Sequence, residues 1–174
     1  IAKRAGVSIG SVYQFFPNRL AIINALGERY QAKLAQVLLM YMGPDAPKDR
    51  SWQETLIEIV DILAEMWRED WALHSVWSAV HNTTELTESE EDFREQLIET
   101  LLVSYWKQYM PNKSDEQLKI MSTVAFETSN LLLDNSMRHD GTQDNRIVDE
   151  LKKILNCYYT RNINESNTMN SKNE

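Results

Sequence analysis

Ala5-Gly6-Val7-Ser8-Ile9-Gly10-Ser11-Val12-Tyr13-Gln14-Phe15-Phe16-Pro17-Asn18-Arg19 is the stretch on which the reading of this chain turns. Gly6 can take a positive φ at little steric cost, so it is a natural stop and turn residue. Val7 is apolar and is expected to plug the gap between two helices. Ser8 stands where an N-cap belongs, its oxygen able to accept from an early backbone N–H. Val12, Phe15 and Phe16 give an inward stripe at spacings of three and four. Ile9, Ser11, Tyr13 and Gln14 are left to face outward. Just upstream, Ile1, Ala2 and Ala5 form one apolar helix face, with Lys3 and Arg4 between them.

Helix, turn and a short second helix bearing small and polar residues make a shape suited to a DNA major groove. Gly10 and Ser11 are small enough to let that helix approach a phosphate backbone. Gln14 can pair bidentately with adenine, and Ile9 can touch a thymine methyl. The hydroxyl of Tyr13 is a phosphate donor. Pro17 fits the first turn of a new helix, where no N–H is needed. Asn18 and Arg19 then lie at a helix N-terminus, which favours anions. The candidate DNA contacts are therefore Ser8, Ile9, Gly10, Ser11, Tyr13, Gln14, Asn18 and Arg19.

The stretch resembles the signature of the tetracycline-repressor (TetR) family of transcription regulators, close to A-x-x-A-G-V-S-x-G-x-x-Y-x-[YHF]-F-x-x-K. This chain supplies Ala2, Ala5, Gly6, Val7, Ser8, Gly10, Tyr13, Phe15 and Phe16 at the matching spacing. Arg19 stands where a lysine is usual, which keeps the charge and adds a bidentate donor geometry. The resemblance covers about the first thirty residues. It implies that the family's first helix and the start of its second lie outside this sequence, so that the chain is a piece of a longer protein.

Charge is divided along the chain. The net charge is −8, yet residues 1–35 hold Lys3, Arg4, Arg19, Arg29 and Lys33 against Glu28 alone, leaving the remainder at −12. A basic end on an acidic body orients toward a polyanion. Five Gly and four Pro suit a mostly helical protein, and a hydrophobic share of 43% is enough for a buried core. No window of eighteen apolar residues is present, so no membrane span is expected. The single Cys157 excludes an internal disulfide framework and points to a reducing, cytoplasmic setting.

The rest reads as all-α. Helical periodicity runs unbroken from Asn18 to Met42 through Leu20, Ile23, Leu26, Tyr30, Leu34, Val37, Leu38 and Tyr41, and Gly43-Pro44 ends it. Ser51 and Glu54 form a capping box that opens a second helix, with Leu56, Ile59, Val60, Leu63, Met66 and Trp67 on its apolar face. A shorter helix is expected over 71–81 and a loop over 82–88. Thr87 and Glu90 then suggest a capping box for a helix running to about Tyr109. Ser114 and Gln117 open another, to about His139. Asp144 caps a last helix from Asn145 to about Arg161, with Ile147, Leu151, Ile154, Leu155 and Tyr158 on one face. The domains are a partial helix-turn-helix at 1–35, a helical effector-binding and dimerisation body at 36–161, and a disordered polar tail at 162–174.

The resemblance implies a homodimer on a palindromic operator and a small-molecule effector held in the body. For the effector, aromatic or lipophilic, the expected pocket is Trp67, Trp71, Trp77, His81, Phe93, Leu97, Tyr105, Phe126, Glu127 and Asn130, with His81, Glu127 and Asn130 as polar anchors. For the dimer, pairing of the last two long helices implicates Leu118, Met121, Ala125, Leu132, Ile147, Leu151, Ile154 and Tyr158. No nucleophile elbow, phosphate loop, Cys pair or metal-binding His pattern is present, so neither catalysis, cofactor nor metal is expected. A different class remains open: a helical ligand-binding or interaction module with a degenerate DNA-binding end.

Overall fold

The structure is a computed structural model that describes residue 3 and residues 6–69, 84–138 and 140–170. The described elements are α1 (Ile9–Phe15), α2 (Arg19–Met42), α3 (Trp52–Glu69) and α4 (Thr84–Leu97). A π turn (Ile98–Leu102) then leads into α5 (Val103–Lys107), followed by α6 (Asp115–Ser136) and α7 (Asn145–Asn170). Among the described residues there is no strand, only an isolated bridge between Met137 and Gln143, so the chain is all-α. Among them, too, no helix is long and apolar enough to cross a membrane. The expected helix over 71–81 lies outside the described residues.

Local chemistry sets most helix starts. Ser51 and Glu54 close a capping box: the Glu54 N–H donates to Ser51 Oγ at 3.2 Å, and the Ser51 N–H donates to Glu54 Oε2 at 2.9 Å. Ser114 and Gln117 repeat it at 3.2 and 2.9 Å. The Asp144 carboxylate accepts from the Arg146 N–H at the start of α7. Gly43 ends α2, its N–H donating to the Leu39 carbonyl at 3.0 Å.

The body is built around α3, which packs on α2, α6 and α7, while α6 also packs along α7. The inward stripe of α3 (Leu56, Ile59, Val60, Leu63 and Trp67) is buried as expected, with Met66 half-buried. Aromatic rings close one end of the core. Trp106 of α5 stacks on Tyr159 of α7 with centroids 3.7 Å apart, and Trp52 meets Trp106 edge-on at 5.9 Å. Each such pair contributes about 0.5–1.5 kcal/mol beyond its area.

Three expectations are corrected. The backbone is helical from Thr84, so the residues read as a loop at 84–88 belong to α4, and Thr87 lies within the helix. Glu, the commonest residue there, favours helix as strongly as most apolar types. The helix expected to run evenly to Tyr109 contains the π turn instead. Finally, the polar tail is not disordered over 162–170, where α7 continues to Asn170. Ser166 is 1% exposed and its carbonyl accepts from Asn112 Nδ2 at 3.1 Å, while Ile163 packs on the core. Packing of two or three residues outweighs a composition that reads as unstructured.

The turn between α6 and α7 is pinned by charge. Asp144 pairs with Arg138 at 2.8 Å and Arg146 at 2.6 Å, and Gln143 Nε2 donates to the Ala64 carbonyl of α3 at 3.0 Å. Hydrogen bonds from Arg146 and then Arg138 hold the Asp144 carboxyl far below the usual carboxylate range. A depressed folded-state pKa stabilises the fold above the unfolded value of about 4, and that stabilisation fades as pH falls toward the folded value. Thermal unfolding from pH 7 to about pH 2 is therefore expected to lose stability less steeply in Asp144→Asn than in the parent. Parallel pH profiles would show that the two arginine pairs contribute nothing.

Candidate functional site

At the N-terminal end, Gly6 adopts φ +68°, the left-handed conformation the sequence requires of it. The chain enters α1 through Ser8, whose Oγ accepts from the Ser11 N–H at 3.0 Å and lies 2.8 Å from Ser11 Oγ. Asn18 caps α2, its Oδ1 accepting from the Ala21 N–H at 2.8 Å, which leaves its amide NH2 as a donor. Ser8, Ile9, Gly10, Tyr13, Gln14, Asn18 and Arg19 are exposed, and Ser11 is half-buried. They form one polar, open end carrying Arg19 on the first turn of α2.

Other details of this end differ from the sequence reading. Val7 is 47% exposed, and Phe15 is 79% exposed rather than inward. Val12 and Phe16 are half-buried, and α1 contains no buried residue at all. A seven-residue helix buries only what another element covers, and no described element covers its Phe15 face. Pro17 precedes the Asn18 cap instead of occupying the first turn of α2.

The body holds a cavity of about 70 Å³ between α2, α3, α5, α6 and α7. Leu34, Leu38 and Met42 of α2 form one wall, and Leu56, Ile59, Val60 and Leu63 of α3 another. Leu102 of the π turn, Trp106, Leu155 and Tyr159 close it, and α6 supplies Ser122, Ala125, Phe126, Ser129 and Asn130. The wall is apolar except for the polar line on α6 and the Tyr159 phenol. Burial pushes that phenol's pKa well above its ordinary value, so it stays neutral. The cavity is far smaller than the ~300 Å³ at which drug-sized sites begin, so a larger guest must displace its walls.

Of the expected pocket, Phe126 and Asn130 line this cavity. Trp67, Leu97 and Tyr105 are buried in the core away from it, and Phe93 packs against the core half-buried. Glu127 is no anchor: it pairs with Arg94 of α4 outside the cavity. Trp71, Trp77 and His81 lie outside the described residues. Sequence reasoning missed Ser122, which is fully buried on the cavity wall with its hydroxyl beside the Tyr159 phenol. Its signal was a serine inside the apolar run Leu118, Met121, Ala125.

The expected dimer set also divides. Leu118, Met121, Ala125 and Leu151 are buried in this chain's own core, so they have no surface left for a partner. Leu132, Ile147 and Tyr158 are half-buried, and Ile154 is exposed. What α6 does expose is Ile120 at 60%, Val124 at 45% and Leu131 at 57%, in register on one face.

A clip joins the cavity wall to the body. The Tyr41 hydroxyl of α2 donates to Glu58 Oε1 of α3 at 2.8 Å, and Arg50 pairs with the same carboxylate while lying over the Tyr41 ring.

Residues 50–163 match the family described as tetracyclin repressor-like, C-terminal domain. The match begins at the turn before α3 and ends within α7, and so takes in most of the cavity. No curated protein matches the chain.

Two substitutions test this geometry. Ser8→Ala removes a cap worth about 1 kcal/mol. It should speed amide exchange at Ser11 and Val12 while leaving the body's melting temperature unchanged, because α1 has no buried residue. A lowered melting temperature would show that α1 is packed into the body. Ser122→Ala removes the buried hydroxyl that partners the Tyr159 phenol and should lower the melting temperature by about 2–4 °C. An unchanged or raised melting temperature would mean that the two hydroxyls do not interact.

Proposed function

The chain belongs to the tetracyclin-repressor-like family of regulators, and from that premise we propose that it is a dimeric, cytoplasmic DNA-binding repressor released from its operator by a small effector. One observation carries the reading. A single uninterrupted helix, α2, bears the Asn18 cap and Arg19 at one end and supplies Leu34, Leu38 and Met42 to the cavity wall at the other. Twenty-four residues make a rod of about 36 Å. A guest that enlarges the cavity pushes on that wall, and the far end of the rod carries the reader with it. The coupling requires the guest to prefer one position of α2 over the other, since equal affinity shifts nothing.

In this reading α1 lies in the major groove, with Ile9, Gly10 and Gln14 toward base edges and Ser8, Ser11, Tyr13, Asn18 and Arg19 toward phosphate. Two copies associate through the faces of α6 and α7 that carry Ile120, Val124, Leu131 and Ile154, which sets two reader helices on a palindrome about 34–36 Å apart. The acidic body keeps the rest of the surface away from DNA.

The test is binding of the full-length protein to a palindrome from its own promoter, followed by fluorescence anisotropy over a range of salt. Affinity should fall steeply as salt rises. Tyr13→Ala and Arg19→Ala should each weaken binding by about 5- to 100-fold without changing the melting temperature, and Arg19→Ala should also flatten the salt slope by about one. Salt-independent or absent binding would leave a helical ligand-binding module with a degenerate reader.

A further inference from the structure

The end of α2 that meets α3 is held by three contacts. The Tyr41 hydroxyl donates to Glu58 Oε1 of α3 at 2.8 Å. Arg50, in the turn between the two helices, pairs with the other oxygen of the same carboxylate. Its guanidinium also lies 5.8 Å from the centroid of the Tyr41 ring. Hydrogen bonds to an ionised carboxylate are about twice as strong as those between neutral groups. The helix end is fixed sterically as well: a Cβ on Gly43 would collide with the Leu39 carbonyl. These groups belong to the turns that line the cavity. Leu38 and Met42 lie on either side of Tyr41, and Leu56 and Ile59 on either side of Glu58. Tyr41, Arg50 and Glu58 themselves do not line it.

Resting on the reading of α2 as a rod between cavity and reader, we infer that the Tyr41–Glu58–Arg50 clip is the pivot of that rod. It ties the C-terminal end of α2 to α3, so pressure from the cavity turns the helix about Tyr41 instead of moving it bodily away. Leu34, the lining residue of α2 farthest from the clip, stands seven residues from Tyr41, about 10 Å along the axis. Arg19 stands twenty-two residues from Tyr41, about 33 Å. A shift of about 1 Å at Leu34 thus becomes about 3 Å at Arg19 when the helix turns as a rigid rod. With the clip broken, α2 backs away as a unit and Arg19 moves no farther than Leu34. The three side chains are therefore positioning residues: they set how far a disturbance in the body moves the reader, and touch neither DNA nor guest.

The test compares how strongly a filled cavity disturbs operator binding with and without the clip. It uses the full-length protein, a palindrome from its own promoter and anisotropy at fixed salt. Ala125→Phe fills the cavity. Glu58→Ala removes the acceptor of both Tyr41 and Arg50, Glu58→Gln keeps an acceptor oxygen, and Tyr41→Phe removes the hydroxyl alone. Glu58→Ala by itself should leave operator affinity within about threefold of the parent, because the clip lies several Debye lengths from the reader. It should, however, shrink the affinity loss caused by Ala125→Phe at least about threefold. Glu58→Gln should restore most of that loss, and Tyr41→Phe should fall between. A purely structural brace would lower the melting temperature without altering the loss. The inference is overturned if that loss agrees within about twofold with and without the clip. It is also overturned if the loss grows when the clip is broken, since the clip would then be a brake; the rod reading stands in both cases. Where Glu58→Ala does not fold, Tyr41→Phe decides by the same comparison. If the parent does not bind the operator, or Ala125→Phe leaves its affinity unchanged, the rod reading itself fails, and the inference with it.

Discussion

One helix has to satisfy two environments, and the rest of the molecule is arranged around that demand. The first turns of α2 carry Leu20, Ile23 and Leu26, which are half-buried and lie outside the main core cluster. Its last turns bury Leu34, Leu38 and Met42 in the main core. No proline interrupts it, so a displacement at one end is carried to the other rather than absorbed at a kink. Asn18 fixes where the helix begins, Gly43 fixes where it stops, and the Tyr41–Glu58–Arg50 clip ties its lower end to α3.

Against this rod stands a body closed at one end by aromatic rings. The Trp52, Trp106 and Tyr159 rings lock α3, α5 and α7 together. Trp106 and Tyr159 also close one side of the cavity, whose other walls are mainly leucine, isoleucine and methionine side chains that repack more readily than stacked rings. The π turn sits at this boundary. It widens the inward band to include both Ile98 and Leu102 as well as Leu101, and Leu102 reaches the cavity. π turns often mark functional sites, and here the irregularity serves to present a cavity wall.

Much of the fold was legible because it is written locally. Caps at Ser8, Ser51, Ser114 and Asp144 need only neighbours within three residues, and the stripe of α3 repeats cleanly. What escaped depends on distant partners. Phe15 looked inward by spacing, but a side chain is inward only where something covers it. The tail read as disordered because its composition is polar, although contacts from Asn112 and the core hold it. The π turn had a sign in the sequence: Phe93, Leu97, Leu101 and Tyr105 recur at four, which drifts about 40° per step on a regular α-helix. At the cavity, aromatic richness drew attention to Trp67 and Tyr105, which are packing residues, and away from Ser122, a fully buried serine on the cavity wall.

The most direct measurement is the separation of the two α1 helices in the proposed dimer. Spin labels at Gln14→Cys, in a Cys157→Ser background, report that distance by pulsed electron resonance. Ala125→Phe places a ring in a space of about 70 Å³ that cannot hold it without moving the α2 wall. The account predicts a change of several ångströms in the label separation, together with a loss of operator affinity. An unchanged separation in a folded dimer with unchanged operator affinity would contradict it.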